Sequence, residues 1–103
     1  MVADAFAFLQ SWYASCCNDD WEHSYGVTID TLDNPGWYLK VNLVGTPLAG
    51  TTLDHLAVER TEDDWLHDWS DGTHFEGAGG PLNLGEMLDA FRDFAGGAVP
   101  SPL

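Results

Sequence analysis

Apolar residues at Val2, Ala5, Phe6, Leu9, Trp12, Tyr13 and Cys16 recur at spacings of three and four. That period predicts an amphipathic helix over residues 4 to about 16. Asp4 falls in its opening turn, where a negative charge complements the helix dipole. Asn18 and Asp19, residue types that tolerate a left-handed backbone, predict its end. The period then changes to two. Tyr25, Val27, Ile29 and Thr31 alternate with Gly26, Thr28 and Asp30, and Trp37, Leu39, Val41 and Leu43 alternate with Tyr38, Lys40 and Asn42. Such alternation predicts half-buried strands. Between the two runs, Asp33-Asn34-Pro35-Gly36 supplies proline for the second position of a turn and glycine for the positive φ that follows, so the pair reads as a hairpin.

A Gly/Pro/Thr-rich loop over 45–52 leads to a third strand near 55–60, with Leu56 and Val58 facing inward. Glu62-Asp63-Asp64 turns the chain into a fourth strand over 65–69, on which Trp65, His67 and Trp69 share one side and which Phe75 extends past Asp71-Gly72. A second helix follows. Asn83 is placed to cap it, Glu86 to answer three residues on, and Leu82 and Met87 to form a hydrophobic staple. Leu84, Met87, Leu88, Phe91, Phe94 and Ala95 make its buried stripe, and Gly96-Gly97 ends it. The strand connections are too short for crossover helices. The expected fold is therefore α+β: a mainly antiparallel four-stranded sheet with an N-terminal and a C-terminal helix packed on one face. The other face is expected to carry Thr28, Asp30, Tyr38, Lys40, Asn42, His55 and Glu59. Residues 1–97 read as one domain, and 98–103, with two prolines, as a flexible tail.

Composition changes this picture in one respect. The 103 residues are 45% hydrophobic, enough for a core rather than a disordered segment. Seventeen Asp and Glu against three Lys and Arg, however, leave a formal charge of −14, and protonating the four histidines would still leave a strongly acidic chain. Phosphate backbones and anionic membrane surfaces both repel such a body, which argues against nucleic-acid and membrane partners. The opening residues contain no Lys or Arg and their apolar positions are spaced, so no signal peptide or span is expected. Cys16 and Cys17 are adjacent and cannot form an ordinary disulfide, which fits a reduced, cytoplasmic setting.

Four groups of residues could carry chemistry. Cys16-Cys17 lies at a helix end followed by Asn18-Asp19-Asp20, features that disfavour a thiolate. Asp19, Asp20, Glu22 and His23 match neither a calcium loop nor a zinc spacing and read as a solvated acidic segment. His67, Asp68, Asp71 and His74 do not converge on a strand, where 67 and 68 point to opposite faces. The glycines over 77–80 precede no lysine and adjoin acidic residues, which argues against a phosphate loop. No catalytic residue, metal site or cofactor is predicted. Among the five tryptophans, Trp12 and Trp37 read as core. Trp21 and Trp69 neighbour carboxylates and are expected to be partly covered, as the anchors of a protein-binding surface are.

Leu9-Gln10-Ser11-Trp12-Tyr13, then Asp20-Trp21-Glu22-His23 with Tyr25-Gly26, then Thr31-Leu32-Asp33-Asn34-Pro35-Gly36-Trp37, Asp64-Trp65, Phe75, Asn83-Leu84 and Phe91 together resemble the immunity protein 53 family of bacterial polymorphic toxin systems. The resemblance runs over about residues 9 to 94; Asp19 stands where it leads one to expect glycine. It implies a small cytoplasmic antidote that binds the toxin domain of a neighbouring secreted effector. Some members carry a sulfurtransferase label, which makes a thiol-dependent sulfurtransferase the alternative. Cys17 beside Asn18-Asp19-Asp20 offers the wrong field for an anionic sulfur donor. The acidity suits inhibition of a toxin with a basic cleft, such as a nuclease, with association accelerated by ~10–1000-fold at low salt. The candidate toxin-binding set is Trp21, Tyr38 and Trp69 as anchors, Asp19, Asp20, Asp63, Asp64 and Asp68 for steering, and Glu22, His23 and Asp30 beside them.

Overall fold

The computed structural model describes residues 4–96. Helix α1 (Ala5–Cys16) leads through a single helical turn, α2 (Trp21–Ser24), into strands β1 (Val27–Leu32), β2 (Gly36–Asn42), β3 (Thr52–Glu59), β4 (Trp65–Asp71) and β5 (His74–Gly79), and the chain closes with α3 (Leu84–Phe94). The strands form one antiparallel sheet in the order β1-β2-β5-β4-β3. The fold is α+β with helices at both ends, but the sheet has five strands, not the four expected. Phe75 does not extend the fourth strand. Gly72, at φ 93°, reverses the chain, and Phe75 lies on β5, which returns between β4 and β2. Glycine hides this strand in the sequence: a Cβ at Gly77 would stand 2.9 Å from Met87 Cγ, so the position that should show an inward apolar residue is empty to admit Met87.

Because β5 and β4 lie between β2 and β3, the 43–51 connection must cross the end of the β4–β5 hairpin, giving a Greek-key order. It is pinned there by hydrogen bonds. Leu43 N donates to Thr73 O (2.9 Å), Gly50 N to Gly72 O (2.8 Å), and Ser70 Oγ to Thr51 O (2.7 Å).

Leu39, Val41, Leu66 and Phe75 from one sheet face merge with Phe8, Leu9, Trp12, Met87, Leu88 and Phe91 from the helices in a single core. Trp12 is wholly buried, edge-on to Phe91 at 5.1 Å, and Phe91 meets Phe75 at 5.3 Å. Asp4 caps α1 by accepting from Ala7 N at 2.7 Å. The buried stripe of α1 is rotated from the expected one. Phe8 is in the core against Phe91, and Phe6 is 59% exposed. The chain leaves α1 through Asp19 at φ 73°, the left-handed backbone expected near that helix end.

The start of α3 differs from expectation. Asn83 makes no side-chain cap, and Leu82 is 95% exposed, so there is no staple with Met87. Asn83 Nδ2 donates instead to Asp64 Oδ1 (2.9 Å) and Glu86 Oε1 (3.0 Å). Arg60 completes the cluster, giving Nε and Nη2 to Asp64 (2.9 and 2.8 Å) and Nη2 to Glu86 (2.6 Å). This ties the β3–β4 turn to the first turn of α3. Hydrogen bonds from Arg60 and then Asn83 hold the Asp64 carboxyl down at about 2. The predicted tail over 98–103 lies outside the described residues. Among those described, no helix is long and apolar enough to cross a membrane.

Three variants test these contacts. A Cβ at Gly80 would meet the Asp63 carbonyl oxygen at 2.2 Å, whereas one at Gly85 meets nothing within 4 Å. Gly80→Ala is expected to destabilise by about 1–3 kcal/mol, and Gly85→Ala to stabilise by about 0.4–1 kcal/mol, read by thermal unfolding. Asp64 is ionised more readily folded than unfolded, so its contribution is present above the ordinary 3.8 and is lost as pH falls toward about 2. The stability deficit of Asp64→Asn, measured by denaturant unfolding against pH, should therefore be full at neutral pH and shrink across that window.

Candidate functional site

The helices cover one sheet face, and strand alternation sends a defined set of side chains to the other. Register aligns them in two neighbouring rows. One runs Asp30, Tyr38, Ala78, His67, Ala57 across all five strands. The other runs Thr28, Lys40, Glu76, Trp69 and ends at β3 on a bulge, where Asp54 and His55 together oppose Trp69. A bulge re-aims a side chain. Here it lays the His55 ring flat on Trp69, with centroids 5.1 Å apart and planes 7° from parallel.

Hydrogen bonds turn these rows into a strip. Glu76 accepts from Tyr38 Oη at 2.5 Å through one oxygen and from Trp69 Nε1 at 3.2 Å through the other. Burial, followed by the bond to Glu76, pushes the Tyr38 phenol up to about 12. His67 Nε2 lies 3.0 Å from Glu59 Oε2, and His67 Nδ1 lies 2.9 Å from His55 Nε2. A carboxylate can only accept, so in the neutral pair His67 donates through Nε2 and accepts through Nδ1 from His55. At this end of the strip, Glu59, Thr61, Glu62, Trp65 and His67 line a shallow depression of about 410 Å³. The arrangement offers oriented rings and carboxylate oxygens, chemistry suited to gripping a polar or cationic surface.

Of the predicted site residues, Tyr38 and Trp69 are brought together, through Glu76, and Asp30 lies across from Tyr38 on β1. The acidic residues do not converge on one spot. Asp19 and Asp20 lie in the α1–α2 connection and Glu22 and His23 on α2 itself, where Glu22 accepts from Asn18 N at 2.9 Å. Asp63 and Asp64 sit on the β3–β4 turn, with Asp64 engaged by Arg60 and Asn83. Two residues are not on the surface expected of them. Trp21 is 4% exposed and belongs to the core, edge-on to Trp12, with Nε1 donating to Val44 O at 2.7 Å. Asp68 is buried on the helix-covered side of β4. His55 and Glu59 join no candidate site although alternation places both on this face, and His67 figures only in a group with Asp68, Asp71 and His74. Glu76 was hidden with β5.

The two thiols are engaged structurally. Cys17 Sγ donates to Tyr13 O at 3.3 Å, and burial raises the Cys16 thiol above its ordinary value. A raised pKa leaves less thiolate, the opposite of what sulfur transfer requires. Asp71 spends one oxygen on Thr73 N, Thr73 Oγ1 and His74 N, and His67 and Asp68 point to opposite faces. Tyr38 provides a test of the strip's hydrogen bonding. Its proton is held more tightly folded than unfolded, so its contribution is present below the ordinary 10 and lost as pH rises toward about 12. Tyr38→Phe should flatten the fall in stability over that alkaline range, measured by denaturant unfolding.

A family model described as immunity protein 53 matches residues 6–96. No curated protein and no solved structure matches the chain. The matched span takes in every strand and helix except the first residue of α1, and with it the whole strip. The chain belongs to the immunity protein 53 family.

Proposed function

We propose that this protein is a non-catalytic inhibitor that binds a cognate bacterial toxin domain and occludes its working surface. Family membership supports the immunity role. The observation that carries the mode of action is the helix-free sheet face, where Tyr38, Glu76, Trp69, His55, His67 and Glu59 are already held in place by one another. A pre-ordered surface loses little side-chain entropy on docking. Tyr38 and Trp69 act as anchors, with Asp30 beside them; Asp19, Asp20, Glu22, His23, Asp63 and Asp64 contribute the surrounding field. Trp21 and Asp68, both buried, drop out of this surface.

The net charge of −14 favours a toxin with a basic cleft, and a nuclease fits that description. Fast capture matters for an antidote, because free toxin acts before equilibrium is reached, and complementary charge accelerates encounter. A cytoplasmic site of action follows from this role, where the toxin would meet its target. No bond needs to be made or broken.

The test is co-expression with the toxin domain encoded beside this chain, followed by co-purification and growth rescue. Trp69→Ala is expected to weaken the complex by about 2 kcal/mol or more, as loss of an anchor does. Association should slow steeply between roughly 0.05 and 0.5 M salt. Changing Cys16 and Cys17 together to Ser should leave protection intact. Absence of binding and rescue would remove the inhibitor reading, and loss of protection with the thiols would return the sulfurtransferase alternative.

A further inference from the structure

On the helix side of the sheet, β3 is left largely uncovered, and a groove of about 310 Å³ runs between it and α3, lined by Leu53, Leu56, Asp68, Ala90, Asp93 and Phe94. Its walls are mostly apolar. Asp68 is only 7% exposed, yet among the described residues no hydrogen bond or ion pair reaches its carboxylate. Its strand neighbours on that face are Leu56 and Gly77, which offer it no side-chain donor. Desolvating a carboxylate that accepts no hydrogen bond is a cost, which His55 and His67 offset only in part by charge and without contact. Burial accordingly raises the Asp68 carboxyl above its ordinary value.

The chain's own cations are committed elsewhere. Arg60 is shared by Asp64 and Glu86, Arg92 pairs with Asp89, and Lys40 stands on the opposite sheet face, across from Glu76. We infer that this groove is a socket for an arginine side chain presented by a partner polypeptide, with Asp68 as its floor and Asp93 at its rim. Arginine fits better than lysine. Its planar fork matches a carboxylate and is more weakly hydrated, and its aliphatic stem can lie along Leu53, Leu56 and Phe94. Leu56 and Val58, 51% and 41% exposed, give apolar neighbours of that arginine a surface to rest on. This socket goes beyond the toxin-binding strip, lying on the other side of the sheet and using none of its residues.

The probe is the capped tripeptide acetyl-Leu-Arg-Leu-amide, titrated into the full chain and followed by amide and side-chain NMR, with the citrulline counterpart as the neutral control. Saturable shifts are expected at Leu53, Leu56, Ala90 and Phe94, with citrulline binding at least about tenfold weaker. Asp68→Asn should abolish the response while melting no lower than the parent, since it removes a desolvated charge. Tyr38→Phe and Trp69→Leu should leave the response unchanged. Equal binding of citrulline, persistence in Asp68→Asn, or no saturable shift would each overturn the socket. So would a response that appears only after deletion of residues 97–103, which would put the chain's own tail in the groove. Failure here, with Trp69 variants still weakening toxin binding, would leave the strip reading standing.

Discussion

Ring contacts among Trp12, Phe75 and Phe91 hold α1 and α3 together over one side of the sheet. Large aromatic side chains dominate the burial available to a chain of this size, so where they meet decides where the core lies. With both helices committed to one face, the other has none. Side chains there must satisfy one another or water. Tyr38, Glu76 and Trp69 do so in one group, Glu59, His67 and His55 in another, and the His55–Trp69 stack joins the two.

The same packing explains how so acidic a chain uses its few positive charges. Like-charge repulsion works against compactness when net charge is far from zero. Arg60 is spent where it holds two elements at once, bridging the β3–β4 turn and the start of α3. The pairs are half-exposed and individually weak, but Asn83 joins the two carboxylates from behind and makes a network of them. Most remaining carboxylates stay on the surface, where they are solvated and available to a partner of opposite sign. Asp68 is the exception, a carboxylate buried beside α3 that no hydrogen bond or ion pair reaches among the described residues.

The two sides of the sheet thus present different kinds of surface. The open face is broad and pre-ordered, with rings and carboxylates fixed by mutual hydrogen bonds. The β3–α3 groove is narrow, apolar-walled and negatively charged at its floor. Both arise because two helices cannot cover five strands: they shield β2, β5 and β4 and leave the edge strands and the opposite face in contact with water.

Local periodicity was enough to place α1, α3 and the β1–β2 hairpin, and to assign Tyr38, Lys40, His55 and Glu59 to the helix-free face. Side-chain direction within an element depends only on that element's own period, so it is written in consecutive residues. Period does not say what lies above a residue. Trp21 reads as a surface ring beside acids, and only the approach of Trp12 and the Val44 carbonyl makes it core. Asp68 alternates correctly with His67 and Trp69, but α3 settles whether its side is wet or dry. Asn83 has the composition of a cap and is drawn instead to Asp64, nineteen residues away. The strand β5 was invisible because Gly77 gives up its side chain to Met87, a residue of another element. Element type and facing were thus set by neighbours in sequence. Burial, pairing of β2 with β5, and the assembly of the strip were set by contacts between distant residues, which only the folded chain brings together.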